Sequence, residues 1–167
     1  MSVHGHNQQS RDLTPRCAVI TLSDTRTPET DTSGAAIRDR LGEAGCMVAA
    51  YDLLPDEPER LEALLRTHLG SGEVDAIFCN GGTGVSRRDR TIEVVEALIE
   101  TPLPGFGEIF RQQSFAEIGS AAMLSRATAG VANGRLLLAL PGSTPAVELA
   151  MRLVLPVLRH LVYELRK

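Results

Sequence analysis

Apolar positions along the chain alternate between two rhythms. CAVITL from Cys17, MVAAYDLL from Met47 and VDAIFCN from Val74 are short, near-continuous apolar runs of strand length. Between them the spacing changes to three or four. Ile37, Leu41 and Ala44, then Leu61, Leu64, Leu65 and Leu69, then Ile92, Val95 and Ile99 each mark one face of a helix. Gly45 and Gly70 stand where the first two helices should stop. Polar loops follow the strands: SDTRTPETDTSG, LPDEPE and NGGTGVSRRDRT. Strand, loop and helix, three times over, predict parallel strands joined by right-handed helical crossovers. The expected fold is α/β, a three-layer α/β/α sandwich with a mostly parallel sheet.

After TPLPGFGE the pattern changes. GEIFRQQSF and EIGSAAMLS are helix-like, then ATAGVA and RLLLAL flank Asn133-Gly134 as two strands around a tight turn. Val147, Ala150, Met151, Val154 and Leu158 line a last helix, with Thr144 as the expected N-cap and Pro145 at its first position. Pro156 should kink or split it. Phe106, Ile109, Phe110 and Phe115 crowd into GFGEIFRQQSF, so that segment is core or subunit interface. An interface in a closed symmetric oligomer is expected. With no repeat or linker, residues 15–167 form one domain behind a polar tail, residues 1–14, expected to be disordered.

Composition narrows the function. A chain of 167 residues, 43% hydrophobic and 23% charged, is an ordinary globular domain. A net charge of −4, 4% aromatics and no Trp argue against nucleic acid as a partner. No apolar run approaches the roughly 18–20 residues that span a bilayer, so no membrane is expected. The segment MSVHGHNQQSRDLTP lacks a signal-peptide core, and His4 and His6 within it are incidental. Cys17, Cys46 and Cys79 lie at the ends of strand-like runs, as reduced core residues of a cytoplasmic protein would. Without CxxC or a Cys/His cluster there is no zinc site.

NGGTGVSRRDRT carries the chemistry. Loops at the C-terminal ends of parallel strands line the ligand crevice of such sheets. Bare backbone at Gly81, Gly82 and Gly84 lets N–H groups approach an anion, although a tight turn would use one or two of these glycines anyway. The pattern is no Walker loop, which needs a lysine, and no dinucleotide fingerprint, because Arg87 stands at the third glycine position. Asp89 is either a helix cap or a carboxylate that holds Mg²⁺ against a bound phosphate. Asp56 in the second loop is either a turn residue or a second such acid, and Asp24 in the first loop makes a third at the same edge. Three acids and a glycine loop suggest phosphoryl or nucleotidyl transfer with metal ions. A serine or cysteine hydrolase is disfavoured, because His68 and His160 lie far from this edge. Arg87 and Arg88 either contact a phosphate or lie in solvent.

These residues together resemble a known family. Asn80 through Thr91 is similar to the TGGTG…(R/K)DxT signature of the molybdopterin-binding domain family. Ser23-Asp24, Asp31-Thr32-Ser33-Gly34, Pro55-Asp56-Glu57, GFGEIFR, SF-x-EIG, Leu124-Ser125-Arg126-Ala127 and Leu140-Pro141-Gly142-Ser143 continue the likeness across residues 15 to 160. The details are most similar to its branch of B-type molybdenum cofactor biosynthesis proteins. The resemblance implies a three-layer sandwich, trimeric or hexameric, that attaches AMP from Mg-ATP to molybdopterin and works beside other enzymes of the cofactor pathway. It implies Asp56 and Asp89 as catalytic, Mg²⁺-holding acids. Ser23, Asp24, Gly81, Gly82, Thr83, Gly84, Ser125, Pro141, Gly142 and Ser143 would contact substrate. Asn80 departs from the usual Thr, and Arg87 from a frequent Pro. Rival readings are a non-catalytic molybdopterin carrier, a nucleotide-acting relative and a pure interaction module; the last leaves Asp56 and Asp89 without a role.

Overall fold

The computed structural model describes residues 12–167. Strands β1 (Arg16–Leu22), β2 (Met47–Leu54), β3 (Ala76–Asn80), β4 (Thr101–Pro102), β5 (Thr128–Ala132) and β6 (Arg135–Leu140) form one sheet in the order β2-β1-β3-β6-β5-β4. The first three and β6 are parallel; β5 is antiparallel to both β6 and β4. Helices α1 (Thr32–Glu43), α4 (Pro104–Ile118) and α5 (Thr144–Leu165) cover one face, where Ile37, Leu41, Phe110 and Val147 meet Cys17, Val19, Phe78 and Leu138. Helices α2 (Pro58–Ser71) and α3 (Thr91–Leu98) cover the other, setting Leu61, Leu65 and Val95 on Ala18, Ile20 and Ile77. Successive β1 residues thus enter opposite cores, which is why the strand is apolar at consecutive positions from Cys17 to Ile20. The expected sandwich is the observed one.

The departures are local. Gly70 lies inside α2, and the helix stops at Gly72, whose φ of 73° supplies the left-handed turn. Helix α3 ends at Leu98 with Ile99 as its C-cap. Strand β4 escapes a periodicity search because it is two residues long; its Pro102 lies on the sheet's edge strand. The two helical stretches after it are α4 and a 3-10 turn, Gly119–Leu124. Helix α5 begins at Thr144, so Ser143 takes the cap position without a side-chain cap bond. Pro156 does not split α5, which runs 22 residues. Both Pro156 and Arg152, whose carbonyl loses its helical partner, face solvent, while a buried stripe from Val147 to Val162 holds the two halves to the sheet. Asn133 and Gly134 make the expected turn with φ of 45° and 68°.

Cys17, Cys46 and Cys79 are buried thiols, and burial pushes Cys79 up to about 12. Leu13 already packs against the core; the rest of the predicted tail up to residue 11, His4 and His6 included, lies outside the described residues. The phenylalanine-rich segment divides. Phe110 is core and Phe106 stacks near it, with ring centroids 5.9 Å apart, but Ile109 and Phe115 are exposed. Ile118, Met123 and Leu124 are exposed as well. Among the described residues no helix is long and apolar enough to cross a membrane.

Candidate functional site

The C-terminal ends of β1, β2, β3 and β6 deliver four loops to one edge of the sheet. Beneath them lies a buried polar hub. Asp31, the N-cap of α1, accepts from Thr21 Oγ1 at 2.6 Å, Tyr51 Oη at 2.8 Å and the Gly34 backbone N–H at 3.0 Å. Burial opposes its ionisation, but these bonds and one from Ser33 outweigh it and hold the carboxyl below the usual range. Arg26 pairs with Asp31 at 3.2 Å and, with its other amino group, donates to the Gly142 carbonyl at 3.0 Å. Ser33 donates to Asn80 Oδ1 at 2.9 Å, and Asn80 donates to Thr21 at 2.9 Å. Asn80, which departs from the family pattern, is therefore a fully buried strut rather than a ligand contact. The hub ties the first, third and sixth strands' loops together from below.

The glycine loop lies on top of it. Gly81 donates its N–H to Leu140 O at 3.0 Å, and a Cβ on Gly142 would approach Gly81 Cα to 3.0 Å, so the two loops pack backbone on backbone. Gly81 and Gly82 have φ of 94° and 60°. A Cβ on Gly82 would lie 2.5 Å from Thr91 Oγ1 and 3.0 Å from Asp56 Oδ1; one on Gly84 would lie 2.7 Å from Asp89 Oδ2. The bare backbone thus makes room for the two predicted acids themselves. That differs from the sequence expectation of room for a ligand alone, because the pairing of loop and acids is a tertiary contact.

The acids are held unequally. Asp89 accepts from Ser86 N–H at 3.0 Å, closing the loop on itself. It does not cap α3, whose N-cap position is Arg90 and carries no side-chain cap bond. Asp24 accepts the Asp56 backbone N–H at 3.0 Å and pairs with Arg88 at 2.7 Å. Asp56 Oδ1 is buried with no hydrogen-bond partner. Burial, then the charges of Asp24 and Asp89, raise its pKa, against the pull of Arg88. A buried carboxylate oxygen without a donor, crowded by two more carboxylates, is suited to a cation. Among the described residues no three acidic, Cys or His groups form a complete metal cage. Mg²⁺ is commonly held by one or two carboxylates with phosphate oxygens and water, so Asp56 and Asp89 fit that role.

The remaining predicted residues are spread more widely. Ser23 Oγ accepts from Arg26 N–H at 3.2 Å, shaping its own loop. Thr83 is buried, and Arg87 is exposed. Ser143 is exposed and Pro141 half-buried at the start of α5. Ser125 lies apart: its buried, unpartnered hydroxyl lines a cavity of about 580 Å³ with Arg111, Glu96 and Thr128, which Gly81, Gly82 and Gly84 do not border.

Known proteins share this fold. The family described as "Probable molybdopterin binding domain" matches residues 18–160. The chain belongs to this family. Molybdenum cofactor biosynthesis protein B of Bacillus subtilis is 49% identical over 169 residues, covering 100% of this chain and 99% of the relative. A crystal structure of a molybdenum cofactor biosynthesis protein B superposes with a TM-score of 0.89 at 44% identity, covering 92% and 97% of the two chains. The tungsten cofactor synthesizing protein MoaB from Pyrococcus furiosus gives 0.82 at 34%, covering 92% and 98%. The sequence shows Asp31 and Arg126 only as parts of molybdopterin-binding domain motifs and does not show what they hold. An N-cap Asp before a helix was the available signal for Asp31; Arg26 and Arg126 had none, because their partners lie on distant loops.

Proposed function

We propose that this chain serves molybdenum cofactor biosynthesis as a Mg-ATP-dependent molybdopterin adenylyltransferase. The terminal phosphate oxygen of molybdopterin attacks the α-phosphorus of ATP, the bond to the β-phosphate breaks, and pyrophosphate leaves. The supporting observation is Asp56 Oδ1, buried and unpartnered against Gly82 while the Asp89 carboxylate lies against Gly84. Mg²⁺ held there would offset the repulsion of two polyanions and stabilise the leaving charge. The chain's own residues do the rest. Gly81 through Gly84 set the two acids beside the backbone, the unoccupied cap of α5 offers N–H groups for a phosphate, and Arg88 is within reach as a second cation.

The exposed apolar side chains of Ile109, Phe115, Ile118, Met123 and Leu124 support a homo-oligomer, which in this reading is a trimer or hexamer; work in the cytoplasm beside other enzymes of the pathway belongs to the same proposal. Light scattering that returned the monomer mass of 18.0 kDa at micromolar concentration would remove that part of the reading.

The deciding experiment follows pyrophosphate release and adenylylated pterin from purified protein, molybdopterin, ATP and Mg²⁺. Turnover is expected, with a loss of at least about a hundredfold in Asp89→Asn, since 1.36 kcal/mol is tenfold in rate. Molybdopterin should still bind that variant. Wild-type protein that binds molybdopterin without releasing pyrophosphate would replace the enzyme with a carrier.

A further inference from the structure

Arg126 reaches the glycine loop from the far side of the sheet's antiparallel edge, at the junction between the 3-10 turn and β5. Its Nε donates to Thr83 O at 3.0 Å. Its Nη2 donates to Gly84 O at 2.6 Å and Asp89 O at 2.9 Å. Its Nη1 meets Glu93 Oε1 at 2.7 Å, and that bond holds the Glu93 carboxyl below its ordinary range. One planar group therefore spans both ends of the turn from Thr83 to Asp89 and anchors it to the first turn of α3. Two other bonds on this turn, Ser86 N–H to Asp89 Oδ2 and Asp89 N–H to Ser86 O at 3.1 Å, are internal to it and fix its shape. Its further tie to the rest of the molecule is the ion pair of Arg88 with Asp24 at 2.7 Å, whose exposed arginine side chain holds the backbone only loosely.

We infer that Arg126 is a positioning residue: it sets where the glycine loop lies and so where the Asp89 carboxylate points. It is not itself a phosphate ligand, since three faces of its guanidinium are already committed to loop carbonyls and Glu93. The choice of arginine follows from the geometry. Only a rigid fork of N–H donors can serve three carbonyls and a carboxylate at once; a lysine ammonium has three donors radiating from one point. The catalytic consequence rests on the adenylyltransfer reading, whereas the structural one does not.

The test therefore has two arms. Hydrogen exchange of the free protein, resolved over residues 82–91, should become at least about tenfold faster in Arg126→Ala, with β1, β3 and β6 as protected as in wild type. Arg126→Lys should fall between the two, and it serves alone if the alanine variant does not fold. Unchanged exchange over residues 82–91 in either variant overturns the inference whatever the reaction is. In turnover, Arg126→Ala should lower kcat with little change in KM. Combined with Asp89→Asn it should cost scarcely more than Asp89→Asn alone, because it acts through that residue. Additive losses would make Arg126 an independent contact with substrate and overturn the positioning role. If wild type shows no turnover, the function proposed above fails while the exchange result still decides this one.

Discussion

Asp31 and Asp56 are half a sheet edge apart in role. Both are carboxylates in loops that follow parallel strands; Asp31 is buried, and Asp56 is half-buried with its Oδ1 out of contact with water. Asp31 has Thr21, Tyr51, Ser33, Gly34 and Arg26 around it; Asp56 has an oxygen with no donor and two other acids nearby. Their pKa values move in opposite directions, down for Asp31 and up for Asp56. The difference separates scaffold from site. A fully satisfied buried acid contributes to folding, while an unsatisfied one costs stability and is retained for what it binds.

The comparison breaks most visibly at Asp31. Asp31→Ala strands two hydroxyls, a helix N–H and a guanidinium, and should cost about 3–5 kcal/mol by urea unfolding at pH 7. A loss under about 1 kcal/mol would mean the hub is not what joins the loops. Because the folded pKa of Asp31 is depressed, this contribution is present above the unfolded carboxylate value of about 3.9 and is lost as pH falls through the lower folded one.

The next effect is catalytic. Asp56→Asn should reduce turnover by at least about a hundredfold, or about 2.7 kcal/mol. Near-normal pyrophosphate release would take Asp56 out of the reaction. Gly82→Val comes third. Its Cβ would press on Thr91 and Asp56 at a φ of 60°, so about 1–3 kcal/mol of strain should appear in unfolding together with loss of molybdopterin binding by calorimetry. A folded variant with wild-type affinity would leave the glycine as a turn former and no more.

The smallest effect has the opposite sign. In metal-free protein Asp56→Asn should stabilise by about 0.5–2 kcal/mol at pH 7, as removal of strained site charges commonly does. The sign follows from the raised folded pKa: the wild-type penalty is absent below about pH 3.9 and develops as pH rises through the raised value. Thermal melts at pH 3.5 and pH 7 should show the gain only at the higher value. A gain of equal size at both would assign it to packing instead of charge.

What the chain disclosed in advance follows the range of each interaction. Strands buried on both faces and helices with one apolar face were legible because their periodicity is local. Asp56 and Asp89 could be selected because each sits beside a loop signal, proline in one case and glycine in the other. Gly70 misled because Gly72, two residues on, supplies the left-handed cap, and either would satisfy the pattern. Arg26 and Arg126 were invisible as struts because each acts on carbonyls 37 or more residues away, and a carbonyl leaves no mark in sequence. Phe110 and Phe115 looked alike for the related reason that one faces the sheet and the other faces away.

The position of β6 has a consequence for how the protein is made. It is the last strand in the chain, yet it lies between β3 and β5 in the sheet. Until residues 135–140 leave the ribosome, β3 presents an unpaired apolar edge and β5 has no partner on its inner side. Such exposed edges invite association with other nascent chains. The Pro141–Ser143 loop and α5 follow, so the glycine loop's Leu140 partner and the α5 cover for Phe78 arrive only once residues 140–165 have been made. Closure of the sheet and completion of the site are one late event, and a chain truncated before β6 would have neither.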